Sequence, residues 1–168
     1  MGKPILILLV LLTCVPAASA QSANKTIVLV RHAEKAPAPP TEPDPELSAE
    51  GRERAERFNK AVSKRYKPHE IFSTNYKRTR QTAEPIAKRR GKEIQTYDAA
   101  KPAELISKIM ASKTDHYLIV GHSNTIPALA NLLAKKEVFR NLLDTEYGVY
   151  WVIRMRSGVL SRIEVFPY

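Results

Sequence analysis

Two unbroken apolar runs dominate the chain. Ile27-Val28-Leu29-Val30 and Tyr117-Leu118-Ile119-Val120 lack the alternation of a half-exposed strand. Such β-branched runs predict strands buried on both faces, the habit of a parallel sheet. Shorter strands are predicted at Ile71-Phe72-Ser73 and from Glu93 to Tyr97. Between them the spacing turns helical. Ala55, Phe58 and Val62 form the buried stripe of a helix that opens at Leu47-Ser48, with Ser48 as its cap. On its exposed face Glu50/Arg54, Glu53/Arg57 and Glu56/Lys60 pair in the favourable i, i+4 order. A second helical stretch runs from Tyr76 to Arg90 and ends at Gly91, with Pro85 expected to kink or split it. Pro102 starts a third helix, with Leu105, Ile106, Ile109 and Met110 on one face. A fourth runs from Ile126 to Lys135. The tail changes character: Tyr147 to Met155 and Val159 to Phe166 flank Arg156-Ser157-Gly158 and read as a hairpin. The order β-α-β-α-β-α-β-α followed by two strands predicts an α/β fold. Its expected form is a three-layer αβα sandwich with a mostly parallel sheet and an antiparallel C-terminal hairpin.

Two segments stand outside this pattern. Lys3, the apolar run Ile5 to Leu12 and Ala18-Ser19-Ala20 have the form of a cleavable secretory signal. The run is too short for a membrane span, breaking at Thr13 and Pro16. The expectation is therefore a signal peptide over residues 1–20, one domain over 21–168, and export to the periplasm or beyond without a lasting membrane anchor. The other segment, residues 36–45, holds five of the 12 prolines. It predicts a stiff loop, either a spacer or the rim of a pocket.

The chain has 168 residues, a length suited to one domain. Its single cysteine, Cys14, would leave with the signal, which excludes a disulfide framework or a cysteine-based metal site. Twenty-seven Lys+Arg against 17 Asp+Glu give a formal charge of +10, which favours anionic partners. Nucleic acid is not expected, since no recognition motif or aromatic-interleaved basic stripe is present. No Asp-, His- or Cys-rich cluster has metal-ligand spacing, so no cofactor is expected. His69 and His116 have no partner pattern and read as surface or strand residues.

Ligands of open α/β sheets bind beyond the carboxyl ends of the strands. Arg31-His32-Ala33-Glu34-Lys35 follows the first strand. Ser73-Thr74 and then Lys77 to Ala83 follow the second. Gly121-His122-Ser123-Asn124 follows the fourth. Two histidines and at least one arginine thus arrive at one end of the sheet. Guanidinium forks match phosphoryl oxygens. A neutral imidazole is a competent nucleophile, and nearby guanidinium charge keeps its lone pair free.

These segments resemble the motifs of the histidine phosphatases, the phosphoglycerate mutase-like superfamily. Val30-Arg31-His32-Ala33 is similar to its Arg-His-Gly signature, Ser73 to Ala83 to its second motif, and Val120 to Thr125 to its third. The resemblance implies that His32 is the phosphorylated nucleophile and that Arg31, Arg78 and His122 complete the phosphate pocket, His122 also acting in catalysis. Ala33 stands where the family usually has Gly, and its methyl can crowd the loop. The acid-phosphatase branch places Asp after the second His; here that residue is Ser123. Asp98 is the nearest positional equivalent of the mutase-branch acid, with turn capping as its alternative. Glu34 and Glu146 are further acid candidates. The expected function is an exported, metal-independent phosphatase acting on a phosphorylated small molecule through phosphohistidine. The alternative is a catalytically silent anion-binding protein of the cell envelope.

Overall fold

The computed structural model describes residues 24–168, so the segment read as a signal lies outside the described residues. The chain runs β1 (Lys25–Arg31), α1 (Ala49–Tyr66), β2 (Glu70–Ser73), α2 (Lys77–Arg90), β3 (Ile94–Thr96), α3 (Pro102–Ala111), β4 (His116–Gly121), α4 (Thr125–Ala134), β5 (Val149–Arg156) and β6 (Val159–Pro167). The strands form one six-stranded sheet in the order β3-β2-β4-β1-β5-β6. β1, β2, β3 and β4 are parallel. β5 lies antiparallel to β1 and carries β6 as an antiparallel edge. Ser157 and Gly158 both have positive φ (48° and 74°), the backbone of a two-residue hairpin turn.

Alternate side chains of the central strands leave the sheet on opposite faces, and both faces are covered. Val28, Val30, Leu118 and Val120 pack against Phe58 and Val62 of α1 and Ile86 of α2. Ile27, Leu29 and Ile119 pack against Leu105 and Ile109 of α3 and Ile126 and Leu129 of α4. Each fully buried aliphatic or aromatic side chain stabilises by roughly 1.5–3 kcal/mol relative to exposure. This double burial is why the central strands read as unbroken apolar runs. No helix among the described residues is long and apolar enough to cross a membrane.

The expected break at Pro85 does not occur: α2 is one helix through that residue. Proline removes one helical N–H donor at a cost of ~3 kcal/mol. Ala83, Ile86 and Ala87, on either side of it, are buried against the sheet and anchor both halves.

Helix α1 seats the segment that follows β1. Ser48 caps it, its Oγ accepting the Gly51 N–H at 3.0 Å, and the Ser48 N–H donates to Glu34 O at 2.9 Å. Gly51 lies so close to the Glu34 carbonyl that a Cβ would overlap its oxygen. Gly51→Ala should therefore lower stability by about 1–3 kcal/mol, the usual cost of overpacking. A denaturant midpoint equal to wild type would show that α1 can shift without loss.

Candidate active site

The β1–β4 ladder places two histidines side by side. Arg31 is in register with Gly121, and the His32 N–H extends the ladder by donating to Gly121 O at 2.9 Å. The His32 and His122 rings then meet edge to face, with centroids 5.4 Å apart. Both line a cleft of ≈ 490 Å³ with Arg31, Arg78, Tyr76 and Tyr147.

His32 is buried, and its Nδ1 lies 2.8 Å from Ala33 O. A carbonyl can only accept, so Nδ1 carries the proton and the Nε2 lone pair of the neutral ring is free. Burial, opposed by the Ala33 hydrogen bond and helped by the charges of Arg78, His122 and Arg31, lowers the His32 pKa to about 3. His122 is lowered to about 4 by burial, then by Arg78 and Arg31. Its Nε2 lies 3.0 Å from Thr74 Oγ1, which in turn lies 2.9 Å from Thr79 Oγ1. Thr79 Oγ1 donates to Tyr76 O at 2.8 Å. With that proton committed, Thr74 donates to Thr79, and His122 Nε2–H donates to Thr74.

Both arginines are held by one edge and open at another. Arg31 Nη1 donates to Leu143 O at 2.7 Å and Glu146 O at 2.9 Å, and its guanidinium lies 4.1 Å from the Tyr147 ring centroid. Arg78 stacks over Tyr76 at 4.3 Å, and its Nη1 reaches Asp44 Oδ1 at 3.3 Å. The Nε atoms of Arg31 and Arg78 are buried without a hydrogen-bond partner. Buried N–H donors left unpaired are costly, and both guanidinium groups line the cleft.

Residues 27–101 match the model of the histidine phosphatase superfamily, branch 1, a span that holds His32 and Arg78 and stops before His122. Over that span the chain is similar to the histidine phosphatase superfamily. Solved structures share the fold. SixA from Agrobacterium tumefaciens, a candidate phosphohistidine phosphatase, is 24% identical with a TM-score of 0.63, covering 83% of this chain and 97% of its own. A mycobacterial glucosyl-3-phosphoglycerate phosphatase is 15% identical with a TM-score of 0.64, covering 86% and 98%. A candidate alpha-ribazole-5'-P phosphatase from Escherichia coli is 13% identical with a TM-score of 0.66, covering 86% and 96%. Among curated proteins none matches the chain.

The carboxylates sort by position. Asp98 is not among the residues of the histidine cleft; it lines an adjoining one that shares Tyr76 and Ala99 with it, and its Oδ1 accepts the Ala100 N–H at 2.9 Å. Turn capping thus describes what Asp98 does here. Glu34 is held by Arg54, whose Nε donates to both carboxylate oxygens at 2.6 and 2.7 Å. Burial would raise the Glu34 pKa, but the Arg54 hydrogen bonds and charge outweigh it and lower it. Glu146, bound to Arg140 and to the Leu143 N–H, is lowered to about 2. Asp144, which sequence reasoning passed over, stands in the cleft 3.7 Å from Arg31 Nη2. Asp44 was also missed, although its loop had been read as a possible rim; its carboxylate accepts the first N–H of α2, from Lys77, at 3.0 and 3.1 Å. Lys35 also lines the cleft.

The methyl of Ala33 does not crowd the loop. It is buried in a small cluster with Leu47 and Ala55, and Ala33 is not among the residues of positive φ. The Ala33 N–H donates to Thr82 Oγ1 at 3.0 Å, so the loop is pinned to α2.

Both histidine rings resist protonation in the folded chain, whereas the unfolded chain's histidines titrate near 6.5. Below that value the unfolded state binds more protons, so stability should fall as pH drops from about 6.5 toward about 4. His32→Gln should make that decline shallower in denaturant titrations across the window. An unchanged slope would show that the ring is not held neutral.

Proposed function

We propose that the chain is an exported phosphatase that hydrolyses phosphate monoesters of small molecules through a covalent phosphohistidine on His32, with no metal in the reaction. The match of residues 27–101 to the histidine phosphatase superfamily supports a phosphatase. The single observation that carries the proposal is the tautomer of His32. Its Nδ1–H is tied to Ala33 O, and its free Nε2 sits in a cleft where Arg31 and Arg78 each keep a buried, unpaired Nε donor.

The steps follow from these groups. Arg31 and Arg78 take the phosphoryl oxygens and supply positive charge. His32 Nε2 attacks phosphorus, the ester oxygen departs, and water then cleaves the phosphoramidate. A phosphate dianion offers acceptors only, so His122, whose Nε2–H is used on Thr74, takes up a proton on its other nitrogen to meet it. That charge is stabilised as the anion binds and helps spread the transition-state charge.

Incubation with a phosphate donor should label His32 with an acid-labile, base-stable phosphoryl group, and His32→Ala should abolish both label and turnover. Phosphate bound tightly by a chain that hydrolyses no phosphorylated metabolite would favour the silent anion-binding reading instead.

The leaving group decides how much acid the site requires. Asp98 caps a turn in the adjoining cleft, Glu34 and Glu146 are held by arginines, and Asp144 is exposed beside Arg31. The site therefore suits substrates whose leaving groups depart with little protonation, such as aryl phosphates and phosphoramidates. Asp98→Asn should leave turnover of an alkyl phosphate and of p-nitrophenyl phosphate near wild type. A loss of about 10²–10⁴-fold confined to the alkyl ester would instead make Asp98 the general acid.

A further inference from the structure

At the opposite end of the sheet the fold brings together a second pair of histidines. His69 enters β2, and Asp115 and His116 open β4. His69 Nδ1 lies 2.9 Å from Asp115 Oδ1 across a separation of 46 residues. The His69 N–H donates to His116 O at 2.9 Å, which locks the two backbones together. The His69 and His116 rings stack with centroids 5.5 Å apart and planes 18° apart. One ligand atom from each of the three residues lies within 4.8 Å of the others.

We propose that His69, Asp115 and His116 form a binding site for a divalent transition metal ion of the zinc or copper(II) type. Three observations carry it. Two imidazoles holding one tetrahedral zinc at ~2.1 Å per Zn–N bond bring their ring centroids to about 5 Å, close to the spacing already present, and the stacked rings have only to rotate for one nitrogen of each to converge on the ion. Ligand atoms around such an ion are about 3.4 Å apart, so the His69–Asp115 pair needs only to open by a fraction of an ångström. His116 Nδ1 is buried with no hydrogen-bond partner, so one ring nitrogen of the pair has no competing protein contact.

The donor set selects the class of ion. Two imidazole nitrogens and one carboxylate oxygen suit zinc, copper(II) or nickel, whereas magnesium and calcium prefer oxygen shells. The local charge is compatible: Glu70 and Asp115 lie near, and the Lys25 ammonium is turned onto Ser112 O and Thr114 O at 2.8 Å each. With three protein ligands, a tetrahedral ion keeps one position for water or an outside ligand. The ion would fasten the entry of β2 to the start of β4, at the end of the sheet away from His32.

The sequence shows none of this, because His69 and His116 come from separate segments with no motif spacing. The test is titration of the purified chain with Zn²⁺ and with Cu²⁺. The expected result is one tight equivalent, weakened at least 10-fold in His69→Gln, His116→Gln and Asp115→Asn. Zn²⁺ should raise the melting midpoint of the wild type by several degrees and leave the His69→Gln midpoint in place. Bound Cu²⁺ should show nitrogen hyperfine coupling that diminishes in His69→Gln. His69 is exposed and outside the strands, so that variant decides the matter even if His116→Gln fails to fold. Binding no tighter than millimolar, or binding that survives all three substitutions, would overturn the proposal.

Discussion

The histidine cleft depends on one ladder of backbone hydrogen bonds, the parallel pairing of β1 with β4. Its register runs from Thr26 opposite His116 to Arg31 opposite Gly121. A slip of one residue would send Val28, Val30, Leu118 and Val120 to the wrong face, so burial on both sides enforces the register. At the carboxyl end that register sets His32 against His122. At the other end the β2–β4 pairing presents His116 to His69. The sheet thus works as a ruler whose graduations are apolar side chains.

The cleft sits uneasily on that ruler. Two histidines are held neutral by burial and two guanidinium groups each keep an unpaired buried Nε, arrangements that cost stability in the unliganded chain. The apolar clusters on the two faces of the sheet offset that cost. Arg31 serves both sides of the balance: its Nη1 holds the backbone of the loop between α4 and β5 at Leu143 and Glu146 while its side chain lines the cleft. Lysine could supply the charge but not both functions, since it lacks the fork.

The sheet, its hairpin and the strand-end histidines were legible in the sequence because they obey local rules. Unbroken apolar runs mean double burial, and chemistry gathers where such strands end. Pro85 misled because the local rule for proline lost to tertiary packing of Ala83, Ile86 and Ala87. Tyr76, Asp144 and Tyr147, which line the cleft, and Asp44 and Thr74, which hold Arg78 and His122, carried no periodicity; they come from loops and helix starts whose paths the pattern does not specify. For Asp98, position along the chain pointed toward the cleft, whereas the turn it caps sets it in the neighbouring one. His69 and His116 were unreadable for the same reason: their meeting is a property of register, which no window of sequence contains.

Five prolines in residues 36–45 leave that rim little freedom to lose on folding, so Asp44 is delivered to α2 already positioned. Its carboxylate occupies one edge of Arg78 and the leading amide of the helix. An incoming ligand therefore meets an incumbent. A small carboxylate that took the seat would exchange one monoanion for another and gain nothing from the swap. A phosphate dianion brings more charge and more oxygens, and can reach donors that Asp44 leaves untouched. The chain thus carries its own competitor for that edge of Arg78.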